Sequence, residues 1–97
     1  MKFEWDPAKE KLNLAKHRVS FTVACHVFSD SFQLNLFDTD HSDEEDRWVT
    51  IGSVPTEKIL VVVHTLRVSG DETSVRLISA RKATKKERDT YFARRHP

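Results

Sequence analysis

The 97-residue chain carries 16 Lys plus Arg against 15 Asp plus Glu, a formal net charge of +1, and a chain this short forms one domain, excluding a multi-domain enzyme or a barrel. The total hides an asymmetry: residues 1–48 hold 6 basic and 10 acidic side chains (net −4), residues 49–97 hold 10 and 5 (net +5), and residues 73–97 alone are net +6. A concentrated basic surface suggests nucleic acid as a partner, with an acidic segment elsewhere offsetting it.

The opening residues MKFEWDPAKEK turn charged at once and lack the apolar core of a signal peptide, so a cytoplasmic location is expected. Lys2 to Trp5 reads as a short strand. Asp6-Pro7 then starts a helix, with a capping carboxylate and a proline in its first turn. Ala8, Leu12 and Ala15 share one face of that helix, which ends near Lys16-His17-Arg18. Ser20 caps a second helix, whose Phe21, Ala24, Cys25 and Phe28 recur at the spacing of a core-facing stripe. Cys25 is the only cysteine, which excludes an internal disulfide and any multi-cysteine zinc site.

After Ser29-Asp30-Ser31 the periodicity changes to two, and Gln33 to Phe37, Trp48 to Val54, Lys58 to Val68 and Thr73 to Ala80 all read as strands. Pro55-Thr56 and Ser69-Gly70-Asp71 mark turns short enough to force antiparallel neighbours. The longest apolar run, Ile59 to Val63, falls far short of the roughly 20 residues needed to cross a bilayer, so no membrane association is expected. Thr84-Lys85-Lys86-Glu87 fits a capping box and opens a basic C-terminal helix. The order predicts an α+β fold of two N-terminal helices, an antiparallel β-meander and a basic C-terminal helix, with the helices on one face of the sheet.

Asp38 to Asp46 gathers six carboxylates and His41. Three readings stand: a solvated acidic loop, a hard-cation site that lacks the glycine of an EF-hand loop, and a source of proton transfer through a carboxylate or His41. Arg67, Arg76 and Arg81 lie on or at the ends of the two strongest strands. The Gly70 hairpin sets Arg67 and Arg76 at comparable heights, where they either converge on one phosphate or pair with Asp71, Glu72 or Glu45. Strict alternation puts Arg81 on the face opposite Arg76, so the three share a site only if the strand bulges or ends near Ser79. No two of the five histidines have the i, i+4 spacing of a zinc motif, and His64, inside the apolar strand, reads first as structural and second as catalytic. Glycine loops for phosphate and GxSxG elbows are absent, so neither a metal nor a cofactor is expected. The last helix either lies against nucleic-acid phosphate, docks an acidic partner through Tyr91 and Phe92, or is merely solvated.

Several segments together resemble the BrnT family of bacterial type II toxins. They are Phe3-Glu4-Trp5-Asp6-Pro7 with Lys9, Asn13 with Lys16-His17, Val19-Ser20-Phe21 with Ala24, and Val27-Phe28. Asp40-His41-Ser42, Glu45-Asp46-Arg47, Ile51-Gly52, Leu60 to Val63 with Thr65 and Arg67, and Arg76 to Ala83 with Glu87-Arg88 and Tyr91 continue the match. The resemblance implies a RelE-like fold and a ribonuclease that arrests translation. It also implies neutralisation by a BrnA-type antitoxin, through which alone operator DNA would be read.

Metal-free RNA cleavage by the ribose 2′-OH needs a base, an acid and positive charge at the phosphorus. The resemblance assigns the charge to Arg67, Arg76 and Arg81 and proton transfer to His41 or Glu45, with His64 behind them. Arg47, Thr65, Ser79 and Lys82 are expected to hold substrate, and Arg88, Tyr91 and Phe92 to meet the antitoxin. The chain departs from the family's pattern at His64, where an aromatic like tyrosine is expected, and in the longer, more acidic hairpin from Val68 to Thr73. A non-catalytic nucleic-acid- or partner-binding module built on the basic C-terminal half is the alternative.

Overall fold

Asp6 begins the first helix as its chemistry requires: its carboxylate accepts from the Ala8 amide at 2.9 Å, and Pro7 occupies the position whose N–H would otherwise be orphaned. The computed structural model describes residues 1–41 and 45–95, apart from the side chain of His41. Ahead of the helix, Lys2–Glu4 forms β1; the helix itself, α1, is Pro7–His17, and Arg18 closes it in the left-handed region with φ 58. Ser20 caps α2, Phe21–Ala24, its hydroxyl accepting from the Val23 amide, and a 3-10 turn, Cys25–Ser29, continues it. The strands are β2, Leu34–Phe37; β3, Arg47–Ser53; β4, Ile59–Ser69; and β5, Glu72–Lys82. Gly70 turns the β4–β5 hairpin at φ +60, a conformation that costs glycine nothing. The chain ends in α3, Lys85–Arg95, opened by the expected capping box: Thr84 Oγ1 accepts from the Glu87 amide and Glu87 Oε1 accepts from the Thr84 amide.

The five strands lie in the order β1-β5-β4-β3-β2. The expected meander accounts for four of them, all antiparallel, but β1 pairs parallel with β5, so the sheet is mixed rather than antiparallel throughout. The helices are not confined to one face either. Leu60, Val62, Val75, Leu77 and Ala80 face α2 and the 3-10 turn, packing with Val19, Phe21, Ala24 and Val27. Ile51, Ile59 and Val61 point the other way and pack with Ala83 and Tyr91 of the α3 segment. Gly52 lets the 3-10 turn approach the sheet, since a Cβ there would stand 2.9 Å from Val27 Cβ.

The contacts of α1 also differ from the sequence pattern. Ala8 and Ala15 are exposed and Leu12 is 71% exposed, whereas Asn13 is 6% exposed. Asn13 Nδ2 donates to the carbonyls of Ala80 and Val19, both at 2.9 Å, and Asn13 Oδ1 accepts from the Ala80 amide at 3.1 Å. Its side-chain amide thus imitates a neighbouring strand along the edge of β5 that β1 leaves open beyond Arg76. At the far end of the sheet, Tyr91 donates its hydroxyl to Asp30, which also accepts from the Ser53 and Phe32 amides. Burial opposes ionisation of Asp30, but these hydrogen bonds outweigh it and hold the carboxyl below its usual range. Burial, reinforced by Asp30, pushes the Tyr91 phenol up to about 12.

Candidate active site

Register decides which side chains can meet. Glu4 stands opposite Arg76, Arg76 opposite Thr65, and Thr65 opposite Arg47, so the four form one row across β1, β5, β4 and β3. Arg67 and Ser74 form the next row on the same face. Arg67 and Arg76 are therefore diagonal neighbours, with backbones about 7–8 Å apart and side chains able to reach one phosphate. The opposite face carries Leu66 and Val75 in register, and Val75 is wholly buried beneath the N-terminal helices.

A cleft of about 440 Å³ opens over these rows, lined by Glu4, Glu45, Asp46, Thr65, Arg67, Ser74 and Arg76, among others. A second depression of about 430 Å³ shares Glu4, Arg67 and Arg76 and extends toward Asp6 and Pro7. The two arginines thus form the divide between two hollows. Arg67 Nη2 lies 3.7 Å from Glu45 Oε1, with side chains 71% and 50% exposed, a loose contact that an anionic ligand can displace at little cost. Glu4 was not foreseen as a site residue. The motif containing it was visible, but its place beside Arg76 depends on the parallel β1–β5 pairing, which no local periodicity reveals.

The structure gathers Arg67, Arg76, Glu45 and Thr65 at the cleft and aligns Arg47 with them. His41 ends a 3-10 turn, Thr39–His41, and its side chain, like Ser42, Asp43 and Glu44 of the acidic segment, lies outside the described residues. Among the described residues, no group of three or more His, Cys, Asp or Glu is placed to hold a metal ion.

Arg81 is not brought into the cleft. Strand β5 does bulge, because Val63 pairs with Ser79 and His64 with Leu77, leaving Ile78 as an extra residue. The bulge returns Arg81 to the face of Arg76, but its guanidinium is held by Glu87 of α3 through two bonds of 2.7 and 2.8 Å. These bonds hold the Glu87 carboxyl down at about 2. Ser79 borders a separate depression with Lys9, Leu12 and Lys16, and Lys82 lines another with Leu14, Val19, Val23 and Leu60.

His64 lies on the far side of the sheet, 2% exposed, edge-on to Phe28 and 2.7 Å from Thr50 Oγ1. The Thr50 hydroxyl donates to Asn35 Oδ1 at 2.6 Å, so it accepts from His64 Nε2–H, which leaves Nδ1 without a hydrogen bond. Burial lowers this imidazole to about 4, and it is neutral at pH 7. Of the residues expected to meet a partner, Arg88 and Phe92 are exposed but Tyr91 is wholly buried, so its ring serves the core and offers no docking surface. Phe92 stands 41% exposed, as does Phe32, over whose ring Arg95 sits at 5.5 Å.

Comparison with known proteins adds to this geometry. The family model described as "Ribonuclease toxin, BrnT, of type II toxin-antitoxin system" matches residues 5–87. The crystal structure of the Brucella abortus ribonuclease toxin BrnT superposes with a TM-score of 0.61 at 25% identity, covering 88% of this chain and 99% of that one. None of the curated proteins matches the chain.

Proposed function

The chain belongs to the BrnT family of ribonuclease toxins of type II toxin–antitoxin systems, and from that premise we propose that the Arg67–Arg76 cleft is the active site of a metal-independent endoribonuclease. Cleaving RNA in the cytoplasm, it inhibits translation until a BrnA-type antitoxin neutralises it. Its mixed sheet is read as a RelE-like platform. The observation that carries the proposal is the convergence of two exposed arginines and a carboxylate on one solvent-open sheet face.

The chemistry follows from the charges. As the 2′-oxygen attacks phosphorus, negative charge builds on the phosphoryl oxygens, and Arg67 and Arg76 meet it with forked donors. Glu45 accepts the proton leaving the 2′-OH. The P–O5′ bond breaks, and the departing oxygen takes a proton from His41, the other candidate for proton transfer. The products are a 2′,3′-cyclic phosphate and a 5′-OH end. Thr65 and Arg47 hold the substrate in the same row, with Ser79 and Lys82 on more distant stretches of its path. Arg81 is assigned to α3 through Glu87. The antitoxin docks on exposed Arg88 and Phe92, and operator DNA is read only through that complex.

Purified protein should cut RNA in the presence of EDTA, leaving cyclic phosphate ends, and Arg76→Ala should lower the rate by about a hundredfold or more. Undiminished cutting by Arg76→Ala would remove the arginine from the mechanism. Binding with steep salt dependence and no cutting by any preparation would instead identify a non-catalytic module.

A further inference from the structure

The sheet face that carries the arginines is not uniformly polar. One row further along the strands, Leu36, Val49 and Val63 are in register across β2, β3 and β4. Leu36 is 47% exposed, and Val49 and Val63 are half-buried. The row after that, Leu34, Ile51 and Val61, belongs to the cluster around Tyr91. Val49 also packs against that cluster, so the aliphatic strip between the part of the sheet beneath α3 and the Arg47–Thr65–Arg76 row is continuous with the core at Val49 and opens to solvent chiefly at Leu36.

Val63 stands two positions from Thr65, and Val49 two from Arg47, a spacing of about 7 Å along a strand. That is the reach from a phosphate, across its ribose, to its own base. Resting on the ribonuclease reading of the cleft, we propose that this strip is a nucleobase-binding floor, and that the substrate is unpaired RNA whose base beside the scissile phosphate lies flat on Leu36, Val49 and Val63. Continuity with the arginine cleft selects the occupant, because a polyanion held at Arg67 and Arg76 carries its bases over the neighbouring row. A duplex keeps both faces of each base stacked inside and presents only its phosphate backbone, so it cannot use an apolar floor. These three side chains offer no hydrogen-bonding group, and although Ser79 continues the row beside Val63, the floor itself does not select among the four bases.

The test uses the full-length protein with matched RNA oligonucleotides: intact and unpaired, unpaired with one abasic nucleotide next to the cut, and fully paired. The expected result is a KM about tenfold higher for the abasic oligonucleotide and cutting of the duplex slower by a hundredfold or more. Leu36→Ser, at a site exposed enough to leave folding intact, should raise KM for the intact oligonucleotide but have little effect with the abasic one. Equal KM for intact and abasic RNA, or efficient cutting of the duplex, overturns the floor while Arg76-dependent cutting persists. Absence of cutting on every substrate overturns the nuclease reading itself, and the floor with it.

Discussion

Arg81→Ala separates a residue that holds a helix from one that touches substrate. The wild-type guanidinium donates twice to Glu87, whose carboxylate also accepts from the Thr84 amide, so one acidic side chain ties the end of β5 to the first turn of α3. The Glu87 carboxyl is held at about 2 against an ordinary 4.5, and taken at face value that difference is worth about 3 kcal/mol. Arg81 is 39% and Glu87 26% exposed along the side chain, so solvent screening reduces the pair to about 1–2 kcal/mol. The sign is fixed by linkage: a carboxyl with a depressed folded pKa stabilises above its unfolded value and loses that contribution as pH falls. The stability gap between wild type and Arg81→Ala should therefore be full at pH 7 and shrink from pH 4.5 down to pH 2. Urea unfolding monitored by Trp fluorescence at several pH values measures it. Cleavage rate per folded molecule should fall no more than about threefold, against about a hundredfold for Arg76→Ala. An Arg81→Ala protein of wild-type stability with a hundredfold lower rate would refute the assignment and put Arg81 at the phosphate.

Asn13→Leu should cost about 3–5 kcal/mol in urea unfolding, because it leaves the Ala80 amide and the Ala80 and Val19 carbonyls without partners; Leu12→Ala, on the exposed side of α1, should stay within about 0.5 kcal/mol. His64, held at about 4 against 6.5 when unfolded, should make stability fall by about 3 kcal/mol as pH drops from 6.5 to 4, and this component should be missing in His64→Gln. Glu45→Gln should lower the cleavage rate by about a hundredfold or more, with little change in melting temperature.

Much of this fold is legible locally. The Asp6-Pro7 start, the Thr84–Glu87 capping box and four strands placed within two residues of their observed ends all rest on short-range signals. What escaped were the long-range consequences. Three residues of β1 cannot announce a partner seventy residues away, so Glu4 went unrecognised beside Arg76. Hydropathy favours Leu12 over Asn13 for a buried position because it has no means of valuing an amide that satisfies three backbone groups at once, yet Asn13 is the buried residue. Glu87 was visible as a capping residue, and that local role concealed its second one as the partner of Arg81.

The bulge at Ile78 shows how closely core and site are linked. Side chains alternate along a strand, so without an extra residue Val75 and Leu77 could not share a core with Ala80; one inserted residue reverses the alternation and sends all three to the same buried side. The same reversal places Arg76 and Arg81 together on the opposite face. There the rest of the sheet gives them different work: the row of Arg76 holds Thr65 and Glu4 beneath an open cleft, while that of Arg81 holds Val61, within the apolar cluster around Tyr91. A guanidinium partly covered by a helix loses some of its hydration, and Glu87 compensates by pairing with it. Arg76, with no helix above it, stays exposed to meet an anion from solution. Two arginines five residues apart on one strand therefore differ in role because of what covers them and what pairs with them: Glu87 holds Arg81 tightly, while Glu45 contacts the neighbouring Arg67 only loosely.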